Sequence, residues 1–193
     1  MRYATTFAVL SMLAGLAPAA PHLGAAAPEF ALTDINGKPV RLTAYKGRHV
    51  VLEWTNPHCP YVAKHYDSGN MQALQKDFTG KGVVWLAISS THPGNYEYAG
   101  EKDMAKWAAD KKSTPASIML DKDGKVGRLY EARTTPHMYV IDPQGRLIYA
   151  GGIDDKRSAN PADVKTAKNF VRAALDEALA GKPVSVSSAP PYG

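Results

Sequence analysis

The sequence has 193 residues, 45% of them hydrophobic and 21% charged, which is the mix of one globular domain with enough apolar material for a sizeable core. Its formal charge of +5 is spread over interspersed lysines and acids with no basic run or arginine stripe, which speaks against a nucleic-acid partner. A single cysteine, Cys59, excludes an internal disulfide.

Arg2 is followed by an uncharged run of apolar or small residues from Ala4 to Leu16, and then by Ala17-Pro18-Ala19, the small-x-small pattern of a cleavage site. Residues 1–19 are therefore expected to be a signal peptide, since the run is too short for a spanning helix. The mature protein is expected to begin near Ala20, exported to the periplasm, with no stable membrane association after cleavage. Oxidising compartments favour paired cysteines, so a lone thiol there is either buried and inert or reactive toward another molecule.

Residues 20–29 are rich in alanine and proline and read as a linker before a domain spanning 30–181. Phe30 to Leu42 predicts two short strands around an Asp34-Ile35-Asn36-Gly37 turn. Val50-Val51-Leu52 is a continuous apolar run of the kind found in buried parallel strands. Thr55 to Cys59 then forms a loop, and Pro60 opens a helix, where its missing N–H costs nothing. Asp67-Ser68-Gly69-Asn70 interrupts the helical pattern, which predicts a kink or two short helices.

Val83 to Ile88 predicts a second buried strand, Glu101 to Lys111 a helix with Met104 and Trp107 on one face, and Ser117 to Leu120 a short strand. A turn at Asp121-Lys122-Asp123-Gly124 leads to a helical piece. Met138–Asp142 and Arg146–Ala150 pair as a hairpin about Pro143-Gln144-Gly145. Asn160, with Pro161 just inside, caps a terminal helix whose buried face is Val164, Ala167, Val171, Ala174, Leu175 and Ala178. Gly181 and Pro183 end it, and residues 182–193 form an extended tail. This order of elements is α/β.

Cys59 falls at the end of a buried strand and at the start of a helix, where unpaired N–H groups and the helix dipole favour a thiolate. His58 is adjacent, and Lys64 and His65 lie one to two turns on, so each is a candidate source of positive charge, with Lys64 alternatively pointing to water. The alternative for Cys59 itself is a small buried hydrophobe.

Trp54-Thr55-Asn56-Pro57-His58-Cys59-Pro60-Tyr61-Val62 resembles the active-site segment of thioredoxin-like proteins. Thr135-Pro136, followed by Met138-Tyr139-Val140-Ile141-Asp142 and Gly145, resembles the cis-proline loop and hairpin of that fold. Ala27-Pro28-Glu29-Phe30-Ala31-Leu32 with Asn36-Gly37 resembles the start of the redoxin (alkyl hydroperoxide reductase/thiol-specific antioxidant) family. The likeness covers roughly residues 27–180. It implies a thioredoxin-like fold with a central mixed sheet, flanking helices and an N-terminal β-hairpin extension. It also implies that Thr135 and cis Pro136 face Cys59, and that the Thr135 backbone pairs with a substrate's extended chain.

Two departures limit the likeness. Val62 stands where a dithiol site has its second cysteine, so no partner is present to resolve a mixed disulfide. Peroxidatic sites of the family carry a threonine three residues before the cysteine and an arginine near the following strand. Here Asn56 takes the first place, with Thr55 one residue off, and Pro136 roughly the second, with Arg133 nearby. Relatives of this kind are also expected to continue past a Pro-Tyr-Gly segment into a cysteine-bearing tail, whereas the sequence given stops at Pro191-Tyr192-Gly193.

The reading that follows is a thiol-based oxidoreductase. Cys59 attacks a peroxide or a protein disulfide and is recycled by an external thiol reductant, with no cofactor. The alternatives are a non-catalytic binding module of the same fold, and a copper-binding or delivery site built from His58, Cys59 and His137.

Overall fold

The computed structural model describes residues 21–193, so the signal-peptide expectation lies outside the described residues. Strands β1 (Ala31–Thr33) and β2 (Pro39–Arg41) form the expected N-terminal hairpin, with Asp34 Oδ1 accepting from the Asn36 and Lys38 amides inside the turn. A second sheet holds β3 (Val50–Trp54), β4 (Val84–Ser89), β5 (Ser117–Leu120), β6 (His137–Ile141), β7 (Leu147–Gly151) and β8 (Ser188–Ala189). Its order is β5-β4-β3-β6-β7-β8, parallel at β5/β4, β4/β3 and β7/β8 and antiparallel at β3/β6 and β6/β7. Central β3 is buried at all five positions, which is why it opens on the apolar run Val50-Val51-Leu52.

Alternation along β3 divides the core. Val50, Leu52 and Trp54 face the layer that holds Phe30, Val40, Tyr130 and Tyr139. Val51 faces the opposite layer, built with helices α1 (Pro60–Asp67), α2 (Asn70–Thr79) and α5 (Phe170–Leu179). Helix α3 (Glu101–Asp110) packs Met104 and Ala108 over Ile118 and Leu120, and α4 (Lys125–Leu129) places Val126 in the first layer. Gly69, with φ +76°, makes the break between α1 and α2 that the interrupted pattern predicts. Glu53, fully buried on the α2 side, accepts from Tyr66 Oη at 2.8 Å, Trp85 Nε1 at 2.7 Å and Gln75 Nε2 at 3.3 Å. Burial pushes its carboxyl up despite those donors.

The terminal helix differs from expectation. Asn160 does cap a turn, accepting from Ala162 N, but that turn is a 3-10 segment, Pro161–Thr166. The backbone then extends so that Lys168 O accepts from Asp155 N and Phe170 N donates to Ile153 O, and Asn169 caps α5 afresh through Arg172 N at 2.8 Å. Val171, Ala174 and Leu175 are buried as expected, whereas Val164, Ala167 and Ala178 are only partly covered. Two successive asparagine caps split one apparent periodicity into two elements.

The segments read as linker and tail are also built into the sheet. Gly24 N donates to Leu147 O, Leu147 N to Ala25 O and Ala27 N to Gly145 O, so residues 24–27 line the start of β7. Ser188–Ala189 form β8 along the other half of β7. Their approach requires glycine at 151, where φ is +152° and a Cβ would stand 2.0 Å from Ala189 O.

Candidate functional site

The site lies at the C-terminal end of β3. Trp54 is the last strand residue, and Thr55 N still donates to Ile88 O of β4. The chain then turns through Asn56-Pro57-His58-Cys59, closed by Cys59 N to Asn56 O at 3.1 Å and by His58 N to Asn56 Oδ1 at 2.8 Å. Cys59 is the N-cap of α1 in extended conformation, and Pro60 takes the first helical position. The first intrahelical bond runs from Ala63 N to Cys59 O, so the Tyr61 and Val62 amides have no helical acceptor.

Cys59 is half-buried, and its Sγ donates to Thr135 O at 3.0 Å. Thr135-Pro136 is a cis peptide, as the resembled loop implies. Thiol and loop share a cavity of about 400 Å³ whose wall includes Trp54, Tyr61, Ser90, Glu97, Thr134 and Gly193. Trp54 Nε1 donates to Ser90 Oγ at 3.0 Å, and Ser90 Oγ donates to Asp121 Oδ2 at 2.6 Å, which fixes that wall.

Among the residues read from the sequence, Cys59, Pro60 and Thr135 border this cavity, and Pro136 is buried directly behind Thr135. Arg133 also borders it, but its side chain is 74% exposed and its guanidinium lies 3.9 Å from Glu131 rather than at the sulfur. Thr55 is fully buried and does not reach the cavity. His58 is exposed beside the thiol. Asn56, at the place of the peroxidatic threonine, spends its side chain on the local turn and on Thr91 Oγ1 at 2.9 Å. His137 lines a different cavity, and its Nδ1 faces Tyr139 Oη at 3.1 Å and Arg133 N at 3.3 Å. Burial, and then the Arg133 charge, push His137 down to about 4, leaving it neutral at neutral pH. Among the described residues no three His, Cys, Asp or Glu side chains gather as a metal cluster.

Lys64 requires a correction. It does not point to water, because at about 3.6 residues per turn it leaves Cys59's side of α1 and turns into the protein, where its charge meets Asp154. Its Nζ, fully buried, lies 3.2 Å from Asp154 Oδ2, 3.1 Å from Tyr192 Oη and 2.5 Å from Lys156 O. His65 joins this cluster. Asn70 Nδ2 donates to His65 Nδ1 at 2.9 Å, which leaves Nε2–H to donate to Tyr192 Oη at 3.1 Å. Burial pushes His65 down to about 4. Tyr192 Oη in turn donates to Asp154, and burial together with that carboxylate holds the phenol protonated.

Sequence reasoning missed Ser90, Glu97 and Gly193 in the wall, and Asp154 and Tyr192 in the cluster. Ser90 had a signal: it follows β4 at the same sheet end as Cys59, where open α/β sheets carry their sites. Asp154 and Tyr192 lie 90 and 128 positions from Lys64, and only the fold brings them together.

A half-buried thiol at the head of a helix, facing a cis-proline loop across a mixed sheet, defines a thioredoxin-like protein with a thiol site. The chain belongs to the AhpC/TSA family, whose pattern matches residues 23–150. It is 27% identical over 132 residues to the thiol-disulfide oxidoreductase ResA of Bacillus subtilis, an alignment spanning 65% of this chain and 64% of the relative. It is also similar to the crystal structure of an uncharacterized conserved protein from Geobacillus kaustophilus, with TM-score 0.76, 31% identity and 88% of each chain covered. The fold extends to a thiol:disulfide interchange protein DsbE of Chlorobium tepidum, with TM-score 0.56 and 24% identity over 67% of this chain and 84% of that one.

Proposed function

We propose that the protein is an exported thiol-disulfide oxidoreductase acting through the single thiol of Cys59. The observation that carries the reading is Cys59 Sγ at the head of α1, opening into a cavity and bonded to Thr135 O at 3.0 Å. The Tyr61 and Val62 amides at the head of α1 have no helical acceptor, so they are available to a group that binds at that end of the helix.

In the first step Cys59 Sγ attacks one sulfur of a disulfide R–S–S–R′. A Cys59–S–S–R bond forms, the S–S bond of the substrate breaks, and R′ leaves as a thiol carrying the proton that Cys59 loses. An external thiol R″–SH then attacks the mixed disulfide, releasing R–S–S–R″ and restoring Cys59–SH. The neighbouring Val62 supplies no sulfur, so every turnover needs this second molecule.

The disulfide branch is favoured over the peroxide branch by the surroundings of the thiol. A peroxidatic sulfur needs a hydroxyl and a cation at hand, whereas Thr55 is buried elsewhere and the Arg133 guanidinium faces Glu131. Export rests on Arg2, the uncharged run Ala4–Leu16 and Ala17-Pro18-Ala19.

The test is to mix the reduced protein with one equivalent of bis(2-hydroxyethyl) disulfide or hydrogen peroxide and follow its mass. A mixed-disulfide adduct on Cys59, forming at least tenfold faster than on free cysteine at pH 7 and absent in Cys59→Ser, is expected. Faster sulfenic acid formation with peroxide would replace disulfide exchange by peroxide reduction. A thiol slower than free cysteine toward both reagents would make the protein a binding module.

A further inference from the structure

Residues 188–193 lie across the site more closely than a tail needs to. After β8, a Cβ on Gly152 would stand 2.9 Å from Pro190 O, so this segment too rests directly on backbone. Tyr192 then inserts its ring edge-on against Tyr61, two residues after Cys59, with centroids 5.8 Å apart at 67°. Its hydroxyl enters the Lys64–His65–Asp154 cluster, accepting from both bases and donating to the acid, so its one proton and two lone pairs are all used.

This clamp delivers Gly193 to the Cys59 cavity. A Cβ at 193 would lie 2.3 Å from Thr135 O and 2.8 Å from Thr135 N, so the two backbones are in direct contact. Thr135 O is the atom that accepts from Cys59 Sγ. One peptide group thus meets the thiol and the residue 193 backbone together.

Resting on the disulfide-exchange reading, we infer that Tyr192 and Gly193 are specificity determinants that reserve Cys59 for disulfides of low molecular weight. They already occupy the backbone of Thr135, the group with which the resembled fold implies that an extended substrate chain pairs. A small disulfide needs only the cavity and the sulfur. A peptide has to displace a segment held by three buried polar partners and by two glycine-dependent backbone contacts.

The experiment compares mixed-disulfide formation with bis(2-hydroxyethyl) disulfide and with an unstructured decapeptide carrying one central cysteine as its mixed disulfide. Wild type, Tyr192→Ala and Gly151→Ala are measured. The second variant expels β8 by placing a methyl on Ala189 O, and leaves the Tyr192 cluster residues in place. The ratio of the peptide rate to the small-disulfide rate should rise at least tenfold in both variants. An unchanged ratio in a folded variant overturns the inference while leaving exchange itself intact. No adduct with either reagent in wild type overturns the exchange reading, and this inference with it. Hydrogen exchange on the unaltered protein gives a check independent of folding defects: the amides of Ser188, Ala189, Tyr192 and Gly193 should exchange faster in the peptide adduct than in the hydroxyethyl adduct. Equal exchange in the two adducts also overturns it.

Discussion

Helix α1 carries two polar groups five residues apart with opposite designs. At its head, Cys59 Sγ makes one hydrogen bond, to Thr135 O, and otherwise faces an open cavity. In its interior, Lys64 is wholly buried and its ammonium meets Asp154, Lys156 O and Tyr192 Oη. The first group is left under-partnered and so is available to another molecule. The second is fully partnered and so holds parts of the protein together. An open thiol and a closed ion pair are separated within two turns of one helix.

The largest effect expected from breaking this contrast is on stability. Asp154→Asn leaves the Lys64 charge buried without its counter-ion, and should cost about 3–5 kcal/mol in urea unfolding. Cys59→Ser keeps a donor for Thr135 O and should change stability by less than about 1 kcal/mol while abolishing adduct formation. The double change Lys64→Met with Asp154→Leu removes both charges, and should recover most of the loss. Equal costs for Asp154→Asn and Cys59→Ser would erase the distinction.

A smaller effect concerns pH. His65 and His137 both lie at about 4 in the folded protein because burial disfavours their charge. In the unfolded chain they titrate near 6.5. Above about pH 6.5 both states are neutral and the full stability is present. As pH falls toward 4 the unfolded chain takes up protons that the fold refuses, so stability drops by up to about 1.4 kcal/mol per pH unit for each histidine. Between pH 6.5 and 5.5 half-buried His49 adds to this slope and buried Glu53, whose carboxyl is pushed up, opposes it, so the check is the difference between proteins: the urea-midpoint slope of wild type should exceed that of His65→Gln by up to about 1.4 kcal/mol per pH unit. Equal slopes in wild type and His65→Gln would mean that the cluster admits a charged imidazole.

The smallest effect is at the rim. Arg133→Ala should change the rate with bis(2-hydroxyethyl) disulfide by less than about twofold, since its guanidinium is solvent-exposed and directed at Glu131. A tenfold loss would return Arg133 to the site.

What the sequence disclosed follows the same division. Cys59, its capping position and Pro60 were legible because strand, loop and helix start are local signals. The strands around Val50–Leu52 and Val83–Ile88 were legible because burial on both faces leaves unbroken apolar runs. Lys64 was not, because a lysine on a helix reads as solvated until its acid, 90 positions away, is seen beside it. The tail was not, because two residues of strand carry no periodicity. Asn160 misled because it is a true cap, although of a different element.

Among the described residues, both margins of the main sheet are shortened by small pieces from elsewhere in the chain, and the outermost strand beside β7 is β8, only two residues long. On β5, Asp34 bridges Met119 and Ile35 N bonds Ile118 O. On β7, residues 24–27 and 187–189 divide the strand's outer backbone between them. An open margin is a template on which a foreign strand can continue the ladder. Here one margin offers a two-residue strand and the other is interrupted at Met119, so another chain that meets the described residues finds only short lengths of ladder to extend.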